Sequence, residues 1–125
     1  MIKHLAAAAL ALTAFAAASP ATAQSLSFCD GRFVADSFYS TVTANGQGGS
    51  QAAYIMQLRN TTGQAATAVV SFTAPGVAGL RRNGNRLQAY GSSTIRLGTQ
   101  DFRNPSGEGR LRDAEIARYV TINCG

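Results

Sequence analysis

The chain has 125 residues, a formal net charge of +5 and 46% hydrophobic residues, which is enough apolar material for one small core and too little length for two. Its only histidine and only lysine are His4 and Lys3 at the extreme N-terminus, and there are two cysteines and no tryptophan. Beyond those first residues the composition excludes histidine triads, Cys–His pairs, Schiff-base lysines and the common zinc ligand sets.

The N-terminus reads as a cleavable export signal. Lys3 gives the positive start, residues 5–18 form an uncharged apolar run, and Ser19-Pro20 breaks it ahead of Ala21-Thr22-Ala23. Signal peptidase accepts small side chains, so cleavage is expected between Ala23 and Gln24. The run is shorter than the roughly 20 residues of a membrane-spanning helix. Leu26-Ser27-Phe28-Cys29 echoes a lipobox, but Phe28 is too bulky to precede a lipidated cysteine. The expected product is residues 24–125, a single domain with no membrane span, released to the periplasm or the medium. Its ten basic residues are all arginines against six acids, leaving it near +4.

An even cysteine pair in an oxidising compartment points to one disulfide, Cys29–Cys124. It would close almost the whole domain into a loop, and chain entropy alone gives about 4–5 kcal/mol for a loop near 100 residues.

Taken in order, residues 33–43 (FVADSFYSTVT) are β-branched and aromatic and read as strand. A glycine-rich loop follows at 45–51. Residues 52–60 place Tyr54, Met56 and Leu58 in alternation with Ile55, Gln57 and Arg59, the period of a half-buried strand. A helix capped by Ser50 competes, because Ala, Met, Gln, Leu and Arg are good helix formers. Residues 61–64 make a turn, 65–74 a strand, and Pro75-Gly76 a stop. Asn83-Gly84 between Leu80-Arg81-Arg82 and Asn85-Arg86-Leu87 is the pattern of a two-residue hairpin. Residues 94–98 give a further strand, 100–110 a long polar loop, 112–117 one short helical turn, and 118–124 the last strand, with Val120, Ile122 and Cys124 on one face.

Six or seven short strands separated by turns predict an all-β sandwich. The run Tyr54-Ile55-Met56-Gln57-Leu58-Arg59-Asn60-Thr61-Thr62-Gly63 resembles the strand-and-turn pattern of bacterial periplasmic immunoglobulin-like modules, and the likeness extends loosely to residues 94–98. The resemblance implies an immunoglobulin-like sandwich and carries no functional residues.

Candidate sites are few. Arg81, Arg82, Arg86 and Arg96 gather around the predicted hairpin and could bind phosphate or carboxylate bidentately, against the plainer reading of a solvated surface. Arg103, Arg110, Arg112 and Arg118 are interspersed with acids. Asp101, Asn104, Ser106 and Glu108 offer oxygens without the spacing of an EF-hand. Asn60-Thr61-Thr62 matches a glycosylation sequon. Tyr90 beside Arg86 is too little aromatic and basic surface for nucleic acid. The reading is a non-enzymatic envelope protein without cofactor or metal, with a binding or structural and accessory role through loops or a sheet edge, its partner an envelope protein or an anionic polymer. The alternatives are an arginine-mediated binder of anionic polymers and a hydrolase built on Asp30, Asp36, Asp101, Glu108, Asp113 or Glu115.

Overall fold

The computed structural model describes residues 25–124; the expected signal segment, with Ala23 and Gln24 at its cleavage site, lies outside the described residues. The fold is all-β, two sheets packed face to face. Sheet A holds β1 (Leu26–Phe28), β2 (Phe33–Ala44), β3 (Ser50–Asn60), β7 (Ser92–Phe102) and β5 (Ala78–Gly79), adjacent in that order. Sheet B holds β6 (Asn83–Leu87), β4 (Ala66–Phe72) and β8 (Val120–Asn123), again in that order. Every pairing is antiparallel.

Period-two alternation builds the core. In β3 the side chains of Tyr54, Met56 and Leu58 are fully buried while Gln57 is exposed, so the segment open to a helical reading is a strand. Met56 stands between Phe38 and Ile95 in register, and all three face inward. Sheet B answers with Ala68, Val70, Phe72, Leu87 and Val120. Phe72 sits 6.0 Å from the ring of Tyr54 and meets Tyr119 edge-on at 6.4 Å. Helix α1 (Asp113–Ile116) and a 3-10 turn (Ala117–Tyr119) supply the expected helical turn, and bury Ile116 in the core. The carboxylate of Glu115 accepts the N–H of Arg112 at 2.9 Å, which satisfies one of the free donors at the start of that turn.

The disulfide is present: Cys29 and Cys124 are bonded, with Cα atoms 5.6 Å apart across 95 residues of sequence. It fastens the turn after β1 in sheet A to the end of β8 in sheet B. Cys29 and Asp30 are both left-handed, at φ 56°, and Gly31 continues at φ 86°. Among the described residues no helix is long and apolar enough to cross a membrane.

Three sequence expectations are corrected. The Asn83-Gly84 hairpin does not form. A two-residue hairpin of that type needs positive φ at both central residues, and neither Asn83 nor Gly84 has it; the left-handed residue is Arg82, at φ 55°. Asn83 and Gly84 instead lie within β6, paired with Val70 and Val69. The strand expected at 94–98 runs from Ser92 to Phe102, so the polar loop starts at 103 rather than 100. The strands number eight among the described residues, because β1 and β5 are too short to be seen in the sequence.

Candidate functional site

Between Phe72 and Asn83 the chain crosses from sheet B to sheet A and returns, and the crossing makes a groove. Pro75 ends the extended run, and a turn closed by the Val77 N–H donating to the Ala74 carbonyl, with Gly76 at φ 75°, reverses the chain. It then lies briefly on the edge of β7 as β5, with Ala78 opposite Thr99 and Gly79 opposite Gly98. Close approach requires the two glycines. A methyl group at Gly79 would run into the carbonyl oxygen of Phe72, and one at Gly98 would come within 2.7 Å of the Ala78 carbonyl.

Leu80 joins both sheets through its own backbone. Its N–H donates to Leu97 in sheet A at 2.9 Å, and its carbonyl accepts the N–H of Phe72 in sheet B at 2.9 Å. Leu97 is the extra residue of a bulge in β7, since Tyr54 pairs with Gly98 and Ile55 with Arg96. Past Leu80 the left-handed Arg82 turns the chain away to sheet B.

Two features result. The first is a groove of about 740 Å³ between the crossing and β7, where Pro75, Val77 and Leu80 are the accessible apolar side chains and Arg81 and Arg96 the charged ones. The second is an open strand edge. On its outer side β7 is paired with β5 only at Gly98 and Thr99, with Leu80 bonding to Leu97, so among the described residues no strand covers 92–96. A bare edge of this kind can take a further strand.

The structure distributes the four candidate anion-binding arginines. Arg81 and Arg96 share the groove. The β5–β7 pairing ends at Gly79–Gly98; beyond it the Leu80 N–H donates to the Leu97 carbonyl, and the next residue of the crossing, Arg81, lines the same groove as Arg96. Both are exposed. The ion pairs among the described residues are Arg59–Asp36 and Arg112–Glu115, so neither groove arginine has a carboxylate partner there. Arg82 lies in a separate hollow with Ser71, Thr121 and Asn123. Arg86 is exposed in β6, opposite Thr67.

The other candidates are occupied by the fold. The Asn104 side chain accepts the Glu108 N–H at 2.7 Å and the Ser106 hydroxyl at 3.3 Å, and donates to the Glu108 carbonyl at 3.1 Å. Asp101 accepts from Gln51. No group of three or more His, Cys, Asp or Glu side chains among the described residues could hold a metal ion. Asp36 receives two hydrogen bonds of 2.9 Å from Arg59, which hold its carboxyl below the usual value. Glu115 is held low in the same sense, chiefly by the Arg112 N–H. Asp113, beside Arg110, lines a shallow groove with Ser40 and Leu111.

Asn60, the sequon asparagine, is fully buried. Its amide donates to the carbonyls of Gln64, Gln88 and Leu87, and its oxygen accepts the N–H and hydroxyl of Thr62. It pins the turn after β3 to the end of β6, and its amide nitrogen is not available to a glycosylating enzyme in the folded chain. Tyr90, left-handed at φ 56° and 70% exposed, lies over Gly63 at the same end of the sandwich.

No family model matches the chain, and no curated protein or solved structure matches it.

Proposed function

We propose that this is an exported, non-enzymatic binding domain that takes a polypeptide partner as an added strand on the open edge of β7. The observation that carries this reading is the outer side of residues 92–96, left without a strand partner among the described residues, beside a groove lined by Val77 and Leu80. A partner backbone laid there would continue the line of β5 after that chain turns away at Leu80 and Arg82, and its inward side chains would meet the groove wall at Leu80 and Val77. β5 ends the available edge on one side, so a short extended segment is the natural occupant.

The disulfide suits an oxidising compartment. Together with the N-terminal export pattern it supports a periplasmic or secreted location, and we read the two-sheet architecture as immunoglobulin-like.

Photo-crosslinking in the exporting cell tests the surface. A photoreactive side chain at Thr94, exposed on the free edge, should give a discrete adduct with a partner protein whose crosslinked segment is extended. The same probe at Thr67, on the outer face of sheet B, should give none. Adducts of equal yield from both positions, or none from Thr94, would count against strand addition at this edge.

A further inference from the structure

We infer that Arg81 and Arg96 together form a carboxylate-binding site, and that the added strand therefore carries a carboxylate at the position lying across the groove mouth. This rests on the groove being the binding surface and names the chemistry it selects.

The case begins with charge. Arg81 and Arg96 are both exposed and line one groove, and two guanidinium cations gathered at one groove repel each other. Elsewhere the fold places acids against arginines, bidentately at Asp36–Arg59 and at the helix start for Glu115–Arg112. Neither groove arginine's side chain has a hydrogen bond or an ion pair to another described residue, and no acid lines their groove. A carboxylate between them would remove the repulsion and accept two guanidinium forks, which is the geometry arginine favours.

The pattern of β7 supplies the rest of the selection. Ile95 is buried and Thr94 and Arg96 are exposed, so residues 94–96 alternate between the core-facing and the solvent-facing side of the sheet. An added strand has the same period, with apolar side chains entering the groove and acidic ones meeting Arg96 on the solvent-facing side. Arg82 and Arg86 stand outside this arrangement, one in a different hollow and the other across from Thr67. The ligand class is thus an extended peptide with a carboxylate beside apolar residues, and the carboxylate can belong to an acidic side chain or to the chain end.

Fluorescence anisotropy of labelled peptides on the oxidised mature protein tests this. The probes are capped Val-Asp-Val-Asp-Val, its Asn counterpart, and that Asn counterpart with a free C-terminal carboxylate. The Asp peptide should bind at least about tenfold tighter than the capped Asn peptide if its side chain is the ligand, and the free-ended peptide should show that gain if the chain end is. Arg81→Gln and Arg96→Gln should each abolish the gain while leaving the capped Asn peptide's affinity unchanged, and Arg86→Gln should leave all three affinities unchanged. Equal binding of all three peptides, or equal loss from Arg86→Gln, overturns the carboxylate site but leaves strand addition standing. Failure of every peptide to bind overturns both.

Discussion

The hydroxyl oxygen of Tyr54, in the middle of β3, accepts the backbone N–H of Leu111 at 3.0 Å while its proton goes to the side-chain oxygen of Gln100 at 2.6 Å. One buried side chain thus holds the segment leading into α1 against sheet A, 57 residues away in sequence. The Ser50 hydroxyl, donating to the Asn104 carbonyl at 2.7 Å, holds the start of the same segment. Removing the hydroxyl leaves Leu111 without its acceptor. Tyr54→Phe should therefore cost roughly 1–3 kcal/mol in chemical denaturation. Faster hydrogen exchange confined to residues 103–112 would show that the loss is local.

The same hydroxyl gives the fold an alkaline limit. Burial raises the Tyr54 pKa above its ordinary 10.0, with the Leu111 hydrogen bond opposing the rise. The folded state therefore holds the proton more tightly than the unfolded chain. Stability from this group is complete below the ordinary value and declines as pH climbs through 10.0 towards the folded pKa. Denaturation midpoints measured across that window should fall in the parent protein and fall less in Tyr54→Phe.

Asn60→Ala removes five side-chain hydrogen bonds at the end of the sandwich opposite α1. A loss of roughly 2–4 kcal/mol is expected, since several carbonyls and the Thr62 N–H are left to find water. Intact mass of the folded protein after incubation with an oligosaccharyl donor and transferase should show no added glycan, because the amide nitrogen is buried.

Gly79→Ala would drive a methyl group into the Phe72 carbonyl. About 1–3 kcal/mol of destabilisation is expected from the overpacking. The β5 segment should separate from β7, and peptide binding should weaken along with the melting temperature. A fully stable Gly79→Ala protein would show that the close approach of the two sheets at Leu80 is not needed.

Reduction of Cys29–Cys124 releases a constraint spanning 95 residues. Chain entropy sets the loss at up to about 4–5 kcal/mol. Urea titrations with and without reductant, at fixed pH, measure it directly.

β3 was legible from the alternation of Tyr54, Met56 and Leu58 against Gln57, and β2 from its β-branched and aromatic run, whereas the bulge at Leu97 interrupts the alternation of β7 and only its middle was read. The disulfide was legible from the parity of the cysteines. β5 was not, since Ala78 and Gly79 carry no strand preference and are held only by backbone bonds to residues twenty positions on. The Asn83-Gly84 signal misled because the pairing of β6 with β4 outweighed a local turn preference, and the required left-handed residue fell at Arg82. That displacement also hid the groove, whose walls come from Phe72, Leu80 and Leu97 in three separate segments. The arginine cluster read from the sequence contained the groove pair but could not separate Arg81 and Arg96 from Arg82 and Arg86.

The most direct test of strand addition is the backbone amide spectrum of the labelled, oxidised protein titrated with the capped Val-Asp-Val-Asp-Val peptide. Shifts confined to residues 78–81 and 92–99, with new protection from exchange within 92–96, are the expected result. Shifts centred on Thr67, Arg82 and Thr121, or on the turns around Gly63 and Tyr90, would contradict it.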